Sequence, residues 1–589
     1  MIKTKRILAF FFAILALVAC ADDGDGAPAD SDTACQPGDT SCAGDIRQVC
    51  EDESWTEAED CAASDKHCIA GACLDKPDYQ FLAERHEIAG ETTVTLDFLT
   101  GAAFLLVPYY MEFSSTDAGY EIQVENAEGE APAARARTLR ETALSPARAR
   151  LEARIAGERP FRLRDRLRFA EAGRMLAQTA WPRARAAGDC SASAECAEDE
   201  LCDRGRCADV VSLHFDGWSI HEDFTAQVAL KGERCAILVD TDFAGQLDGE
   251  DATLFLDACE RVVMPRNRMF FGEPTITVGE QTIDVGDRDR DGLLQVLFSR
   301  RVNEENVWGF FNSVDFYHDE PNFPSNERDI LYVSLPVTAS ERGSIMATII
   351  HEYQHLLHFA IRAYGPELLG ETGVMSPVWF DEALAHLAEE IGGYGVDNVE
   401  LVRTFFDAFD AVSLAYDGDT LNQRAMGMLL MLYLFEQAGG AAWGENGVED
   451  LGGAAFLREL LAGEHTGFAG LEDALGRPFE ELYYDWLIAV LVDGAGLSDD
   501  PRRNYQPVIV DPVTGHEIGV VTHGERMLST GESVLLNGPF QTSLSAGRYE
   551  GVVSATGANV LRVGGYAGPT ALTVTGPSEA FYLGVLRIE

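Results

Sequence analysis

The feature that most constrains this chain is the run His351-Glu352-Tyr353-Gln354-His355, set inside an apolar stretch. Ile345, Ile349 and Ile350 before it and Leu356, Leu357, Phe359 and Ile361 after it recur at helical spacing, with no proline or glycine between them. One helix is therefore predicted over 344–361. Residues four apart lie on the same helix face, so His351 and His355 can present both imidazoles to one point. That spacing suits two neutral nitrogens holding zinc, with Glu352 one step round the helix. From there Glu352 can take a proton from water without being a ligand itself.

A zinc that does chemistry needs a third protein ligand and an open position. The metzincin extension H-E-x-x-H-x-x-G-x-x-H fails, because His358 stands at the glycine position and Ile361 at the last histidine. A second helix is predicted downstream through Trp379-Phe380-Asp381-Glu382-Ala383-Leu384-Ala385-His386-Leu387-Ala388-Glu389-Glu390, opened by Ser376-Pro377 and closed by Gly392-Gly393. Glu382 would then be the third ligand, as in the gluzincin arrangement. The connection 362–378 is long enough to turn the two helices toward each other.

H-E-Y-Q-H-L-L-H-F followed by W-F-D-E-A-L-A-H-L-A-E-E resembles the hyicolysin-type neutral metallopeptidases, a gluzincin family. Similar flanking stretches are Ile237-Leu238-Val239-Asp240-Thr241, 287–292, Ser325-Asn326 leading to Ile330-Leu331-Tyr332-Val333, and Tyr484-Asp485-Trp486, so the resemblance spans roughly 213–493. It implies a zincin-like fold, zinc on His351, His355 and Glu382, and Glu352 as general base. Two departures bear on the support of the ligands. Asp381 and Ala383 flank Glu382 where the family usually has Asn and Gly, and His386 stands where many gluzincins place an aspartate that orients a zinc histidine. His358, Asp381 and His386 are accordingly the candidates for supporting the ligands.

The formal net charge of −52 argues against nucleic acid or a bare anionic membrane as partner. It fits a soluble exported protein. At the start, Lys3, Lys5 and Arg6 precede an apolar run that ends Leu17-Val18-Ala19-Cys20. This reads as a secretory signal whose ending resembles a bacterial lipobox, with Cys20 the lipidated residue. Residues 21–33, rich in Asp, Gly and Ala, read as a tether. An extracytoplasmic lipoprotein of the outer membrane or cell surface is expected, anchored at most by lipid, with a plain cleavable signal as the alternative.

Cysteine usage agrees with export. Of thirteen cysteines, twelve remain besides Cys20. Six fall between Cys35 and Cys73, and four are Cys190, Cys196, Cys202 and Cys207; the two clusters look related and lie in Gly/Asp/Ser-rich segments that need disulfides. No C-x-x-C pair supports a zinc ribbon. Cys235 and Cys259 read equally as a third pair or as two buried thiols. Between the clusters, 92–124 alternates like a small β unit. Residues 131–187 hold fourteen arginines and no lysine, which reads as a solvated helix or a linker open to processing.

Further on, strands are expected at 236–239 and 294–298 and a helix at 249–263. Asp287, Asp289 and Asp291, ending in Gly292, place hard oxygens around one turn and make a candidate calcium loop. An EF-hand would need glutamate at the position of Phe298, so that motif is absent. Residues 330–333 are expected as the strand that pairs with extended substrate. Helices at 426–437, 454–462 and 479–491 should wall the cleft, with Tyr416, Tyr433 or His465 as candidate oxyanion donors. Short strands follow from 499 onward.

The expected architecture is multidomain α+β. The divisions are a signal at 1–19, a tether at 20–34, a disulfide module at 35–76, a small β unit at 77–130, the arginine-rich segment at 131–187, and a second cysteine module at 188–210. A zincin-like domain with a helical C-terminal subdomain follows at 211–495, then a β domain at 496–589. Protein or peptide is the expected substrate and zinc, with calcium as a candidate, the expected cofactor. The rival reading is a non-catalytic surface lipoprotein that binds protein or glycan and keeps a vestigial zincin domain.

Overall fold

A computed structural model describes residues 40–43, 46–51, 54–60, 66–69 and 72–75 as backbone, and 83–96, 103–113, 116–124, 155–159, 190–321, 323–416, 418–445, 447–529, 531–544, 548–564, 570–577 and 579–588 in full. The expectations for the signal, Cys20, the tether and the pairing of the first cysteine cluster lie outside the described residues. The chain divides into two compact units, 1–82 and 83–589. In the first, Thr40–Ala43, Ile46–Glu51 and Ser54–Asp60 form an antiparallel sheet, and Lys66–Ile69 pairs with Ala72–Asp75.

The second unit mixes helices and several sheets. One six-stranded sheet runs in the order Val210–Asp216, His221–Lys231, Cys235–Asp240, Leu294–Ser299, Ile330–Ser334, Gly309–Phe311. Its three inner strands from Cys235–Asp240 to Ile330–Ser334 are parallel, and the remaining pairings are antiparallel. The parallel strands read as unbroken apolar runs because both faces are covered. Ile237, Val239, Val296, Phe298, Leu331 and Val333 face the helices Gly249–Ala258 and Arg342–Phe359, while Ala236, Leu238, Leu297 and Tyr332 face Leu213, Phe215 and Phe310. Successive side chains thus alternate between two cores, as the pleat requires.

This order corrects one expectation. Ile330–Ser334 is an inner strand, and the sheet's edge is Gly309–Phe311, whose three residues are too few to signal a strand by alternation.

A helical layer follows. Val378–Ile391 packs between Arg342–Phe359 and Leu421–Gln437, with Asn398–Asp407, Gly453–Ala462, Gly467–Leu475 and Phe479–Val492 around them. Two small residues set these approaches. A Cβ on Gly392 would lie 2.1 Å from Ile350 Cδ1, and one on Gly427 would lie 2.8 Å from Ala383 Cβ.

The segments read as a small β unit at 77–130 and a C-terminal β domain at 496–589 share their sheets. Ala103–Tyr110 lies between Leu561–Gly564 and Phe581–Arg587, with Ala83–Glu87 beyond the latter; Asp117–Val124 lies between Arg548–Ser554 and Thr570–Thr575, with Glu91–Leu96 beyond. Both sheets bury one core, including Leu106, Ile122, Leu572 and Phe581. The opposite face of Ala103–Tyr110 packs on the helical layer through Leu105, Val107 and Tyr109. Tyr483 seals that seam by donating to the Thr556 carbonyl at 2.6 Å.

The second cysteine cluster is also built onto this unit. Cys190 bonds to Cys202 and Cys196 to Cys207, and Lys231 Nζ donates to the carbonyls of Ser193 and Glu200, both at 2.8 Å. Cys202 faces Cys207 across its hairpin as Cys68 faces Cys73 across the first module's hairpin, a shared register for the two clusters. Cys235 bonds to Cys259, which ties the first parallel strand to the helix covering it. No helix among the described residues is long and apolar enough to cross a membrane.

Candidate metal centre

The motif helix Arg342–Phe359 follows a capping box formed by Thr338 and Glu341 and is buried along nearly its whole length. Ile345, Ile349, Ile350, Tyr353, Leu356 and Leu357 belong to the main core, which fixes the histidine face toward Val378–Ile391. The coordinating atoms of His351, His355 and Glu382 come within 4.8 Å of one another. His351 Nε2 lies 3.4 Å from Glu382 Oε2, and His355 Nε2 lies 3.8 Å from Glu382 Oε1. Tetrahedral zinc with bonds of about 2.0–2.1 Å sets its ligands roughly 3.3 Å apart, so the three fit one ion.

Each imidazole is aimed from behind. His351 Nδ1 is 2.7 Å from Glu389 Oε1, and His355 Nδ1 is 3.0 Å from Asp381 Oδ1. Burial alone would push both carboxyls up. The His386 and His351 rings beside Glu389, and the His355 and His358 rings beside Asp381, outweigh it and hold both below the usual carboxylate range. An ionised carboxylate only accepts, so each ring carries its proton on Nδ1 and turns the Nε2 lone pair toward Glu382. Burial pushes the His351 imidazolium well down, which keeps that ring neutral. Its Nε2 is buried with no hydrogen-bond partner. A buried lone pair left so is costly unless a ligand takes it.

The supporting candidates fall into place around this. Asp381 also accepts from His358 Nδ1 at 2.7 Å, and His358 Nε2 lies 2.9 Å from Ser376 Oγ, so both nitrogens of His358 are engaged. His386 stacks edgewise on His351, centroids 4.8 Å apart, with Nδ1 3.2 Å from Glu389. His351, His386 and Glu389 also form a compact cluster. However, His351 and Glu389 sit at hydrogen-bond distance, closer than two ligands of one ion. Glu389 was not singled out in the sequence, although its signal was there: it lies seven residues after Glu382, on the same helix face.

Glu352 is wholly buried, and its Oε2 accepts from the Phe311 N–H at 3.0 Å. The edge strand therefore positions the expected base. Only glycine fits at 309, where a Cβ would lie 2.6 Å from Thr348 Cγ2 and 2.7 Å from the Tyr332 carbonyl. Beyond Phe311 a narrow cleft opens beside His355, between Phe359, Val374, Met375 and Val378.

A second residue absent from the sequence reading is Arg424. It is 1% exposed, with Nη1 2.9 Å from Glu382 Oε2 and 2.8 Å from Glu158 Oε2. Its Nε and Nη2 grip Asp419 at 2.6 and 2.8 Å. Burial would lower its pKa, but Asp419, Glu382 and Glu158 outweigh it and hold the guanidinium protonated. Its only signal in sequence was a single basic residue in the largely apolar helix Leu421–Gln437. Tyr416, Tyr433 and His465 are engaged elsewhere, with Asp117, the Arg502 carbonyl and Asp473 respectively.

Asp287, Asp289 and Asp291 bring carboxylate oxygens within 4.8 Å. Asp291 accepts from Ser193 Oγ and the Leu293 N–H, both at 2.8 Å, and Asp289 from Gln295 Nε2 at 3.0 Å. Burial, then the neighbouring Asp289, pushes the Asp291 carboxyl up to about 8.

The chain matches no protein-family model, and its sequence has no significant match among curated proteins.

Proposed function

We propose that the chain is an extracytoplasmic zinc-dependent endopeptidase of the gluzincin type, lipid-anchored through Cys20. The observation that carries this is the convergence of His351, His355 and Glu382 on one point, with the buried His351 Nε2 otherwise unpartnered and Glu352 alongside. His351, His355 and Glu382 would hold a zinc ion, which would supply a Lewis acid able to polarise a peptide carbonyl. Glu352 takes the proton of the attacking water and returns it to the leaving amine, which needs a carboxylate held in place, as the Phe311 N–H holds it. Asp381 and Glu389 fix the tautomer and the orientation of the two imidazoles. No serine or cysteine nucleophile enters this scheme. The three-aspartate loop is a candidate calcium site within the same reading.

The test is cleavage of a diverse peptide library with and without chelator, alongside Glu352→Gln. We expect chelator to abolish cleavage and Glu352→Gln to lower it by orders of magnitude with zinc content intact. Undiminished cleavage in the variant rejects the mechanism. Stoichiometric zinc with no cleavage of any peptide favours the non-catalytic lipoprotein.

A further inference from the structure

The arginine-rich segment has no part in the metal centre as read from sequence, yet residues 155–159 form a helix packed against it. Ile155 is 4% exposed and belongs to the main core; Glu158 is 1% exposed. Glu158 Oε2 lies 2.8 Å from Arg424 Nη1, the same nitrogen that lies 2.9 Å from Glu382 Oε2. On the opposite side, Gly157 sits so near the chain entering the edge strand that a Cβ there would lie 2.2 Å from the Asn306 carbonyl oxygen and 3.0 Å from Val307 Cγ1.

One short segment thus lies against both the approach to Gly309–Phe311 and the arginine beside Glu382. The far end of that strand, at Phe311, borders the open cleft. His351, His355, Glu382 and Glu352 are each 3% exposed or less, although hydrolysis requires that peptide reach them. A buried carboxylate is an expensive way to fill space, because an apolar side chain of similar volume does so without desolvating a charge. Its value lies in the partner it meets, a guanidinium shaped for carboxylate.

We propose that Arg424, with the backbone at Asn306 and Val307, forms a subsite beside the metal ligands for a carboxylate-bearing peptide, and that residues 155–159 are the chain's own occupant of it, holding the site closed to substrate. The inference rests on the peptidase reading for its consequence, but the subsite itself is testable by binding.

Two full-length variants displace the occupant by unrelated means. Glu158→Ala removes the carboxylate, and Gly157→Ala drives a methyl into the Asn306 carbonyl with Glu158 intact. The probe is a fluorescent synthetic peptide spanning 153–161, followed by anisotropy, with a second peptide carrying alanine at 158. We expect the parent chain to bind neither peptide and both variants to bind the Glu158 peptide. The alanine peptide should bind about tenfold more weakly, the change that losing one charge-assisted hydrogen bond brings. Adding Arg424→Met to Glu158→Ala should abolish binding. Cleavage of acidic library peptides should rise about tenfold in both variants at unchanged zinc per chain, as the open fraction grows. Folded variants that bind no peptide and cleave no faster overturn the proposal. So does loss of the folded state in both, since an occupant must be removable. Specific binding without cleavage in any form leaves the subsite standing and rejects the peptidase reading instead.

Discussion

Gly427 faces Ala383 across the contact between Leu421–Gln437 and Val378–Ile391, and a Cβ on Gly427 would lie 2.8 Å from that of Ala383. This closeness brings Arg424, one turn earlier on the same helix, within reach of Glu382. Ala383 is the small residue on the partner helix at this crossing. Gly427→Ala should cost about 1–3 kcal/mol through overpacking and weaken zinc binding by displacing Arg424. Ala383→Gly in the same chain should restore most of both. Thermal melts and zinc titration of the four-member cycle measure this; simple additivity would show that the two sites do not couple.

Glu389 and Asp381 should behave as aiming groups. Glu389→Gln and Asp381→Asn are each expected to keep the fold and weaken zinc by roughly 10- to 100-fold. Glu382→Ala and His351→Ala should lose stoichiometric zinc altogether. Zinc per chain after dialysis separates the two groups. A Glu389→Gln chain as depleted as Glu382→Ala would make Glu389 a ligand.

Arg424→Met leaves Asp419, Glu382 and Glu158 facing one another without their common cation. Removing one partner of a buried ionic cluster typically costs about 3–5 kcal/mol, and a loss of that size is expected in urea unfolding. Arg424→Lys should rescue only part of it, because a point charge cannot grip Asp419 through two nitrogens and still reach Glu382. Full rescue by lysine would show that charge alone matters here.

Asp291 sets a pH dependence of known sign. Its carboxyl is pushed from 3.8 up to about 8, so the folded chain keeps a proton that the unfolded chain has released. Its contribution to stability is complete below about pH 4 and is lost as pH rises through about 8. The parent melting temperature should therefore fall more steeply over that interval than that of Asp291→Asn. Parallel curves would refute the assignment. Calcium added at the alkaline end separates two states of the loop: a rise in melting temperature that requires Asp291 marks a cation site.

The sequence by itself determined what depends on near neighbours along the chain. The i, i+4 geometry of one helix places His351 beside His355 with Glu352 adjacent, and the same geometry on the next helix puts Glu382, His386 and Glu389 on one face. Apolar runs marked the buried parallel strands because both sides of each are covered. Tertiary structure alone decided what depends on distant segments meeting. Arg424 reaches Glu382 and Glu158 only through helix packing, Arg424 and Glu158 lying 266 positions apart in the chain. Gly309–Phe311 is too short to show a period, so its place at the sheet edge follows from pairing with Ile330–Ser334. The β layers join strands from both ends of the chain because alternation tells which face of a strand is apolar and is silent about its partner. Cys235 and Cys259 likewise became a pair only once a strand and its covering helix were brought together.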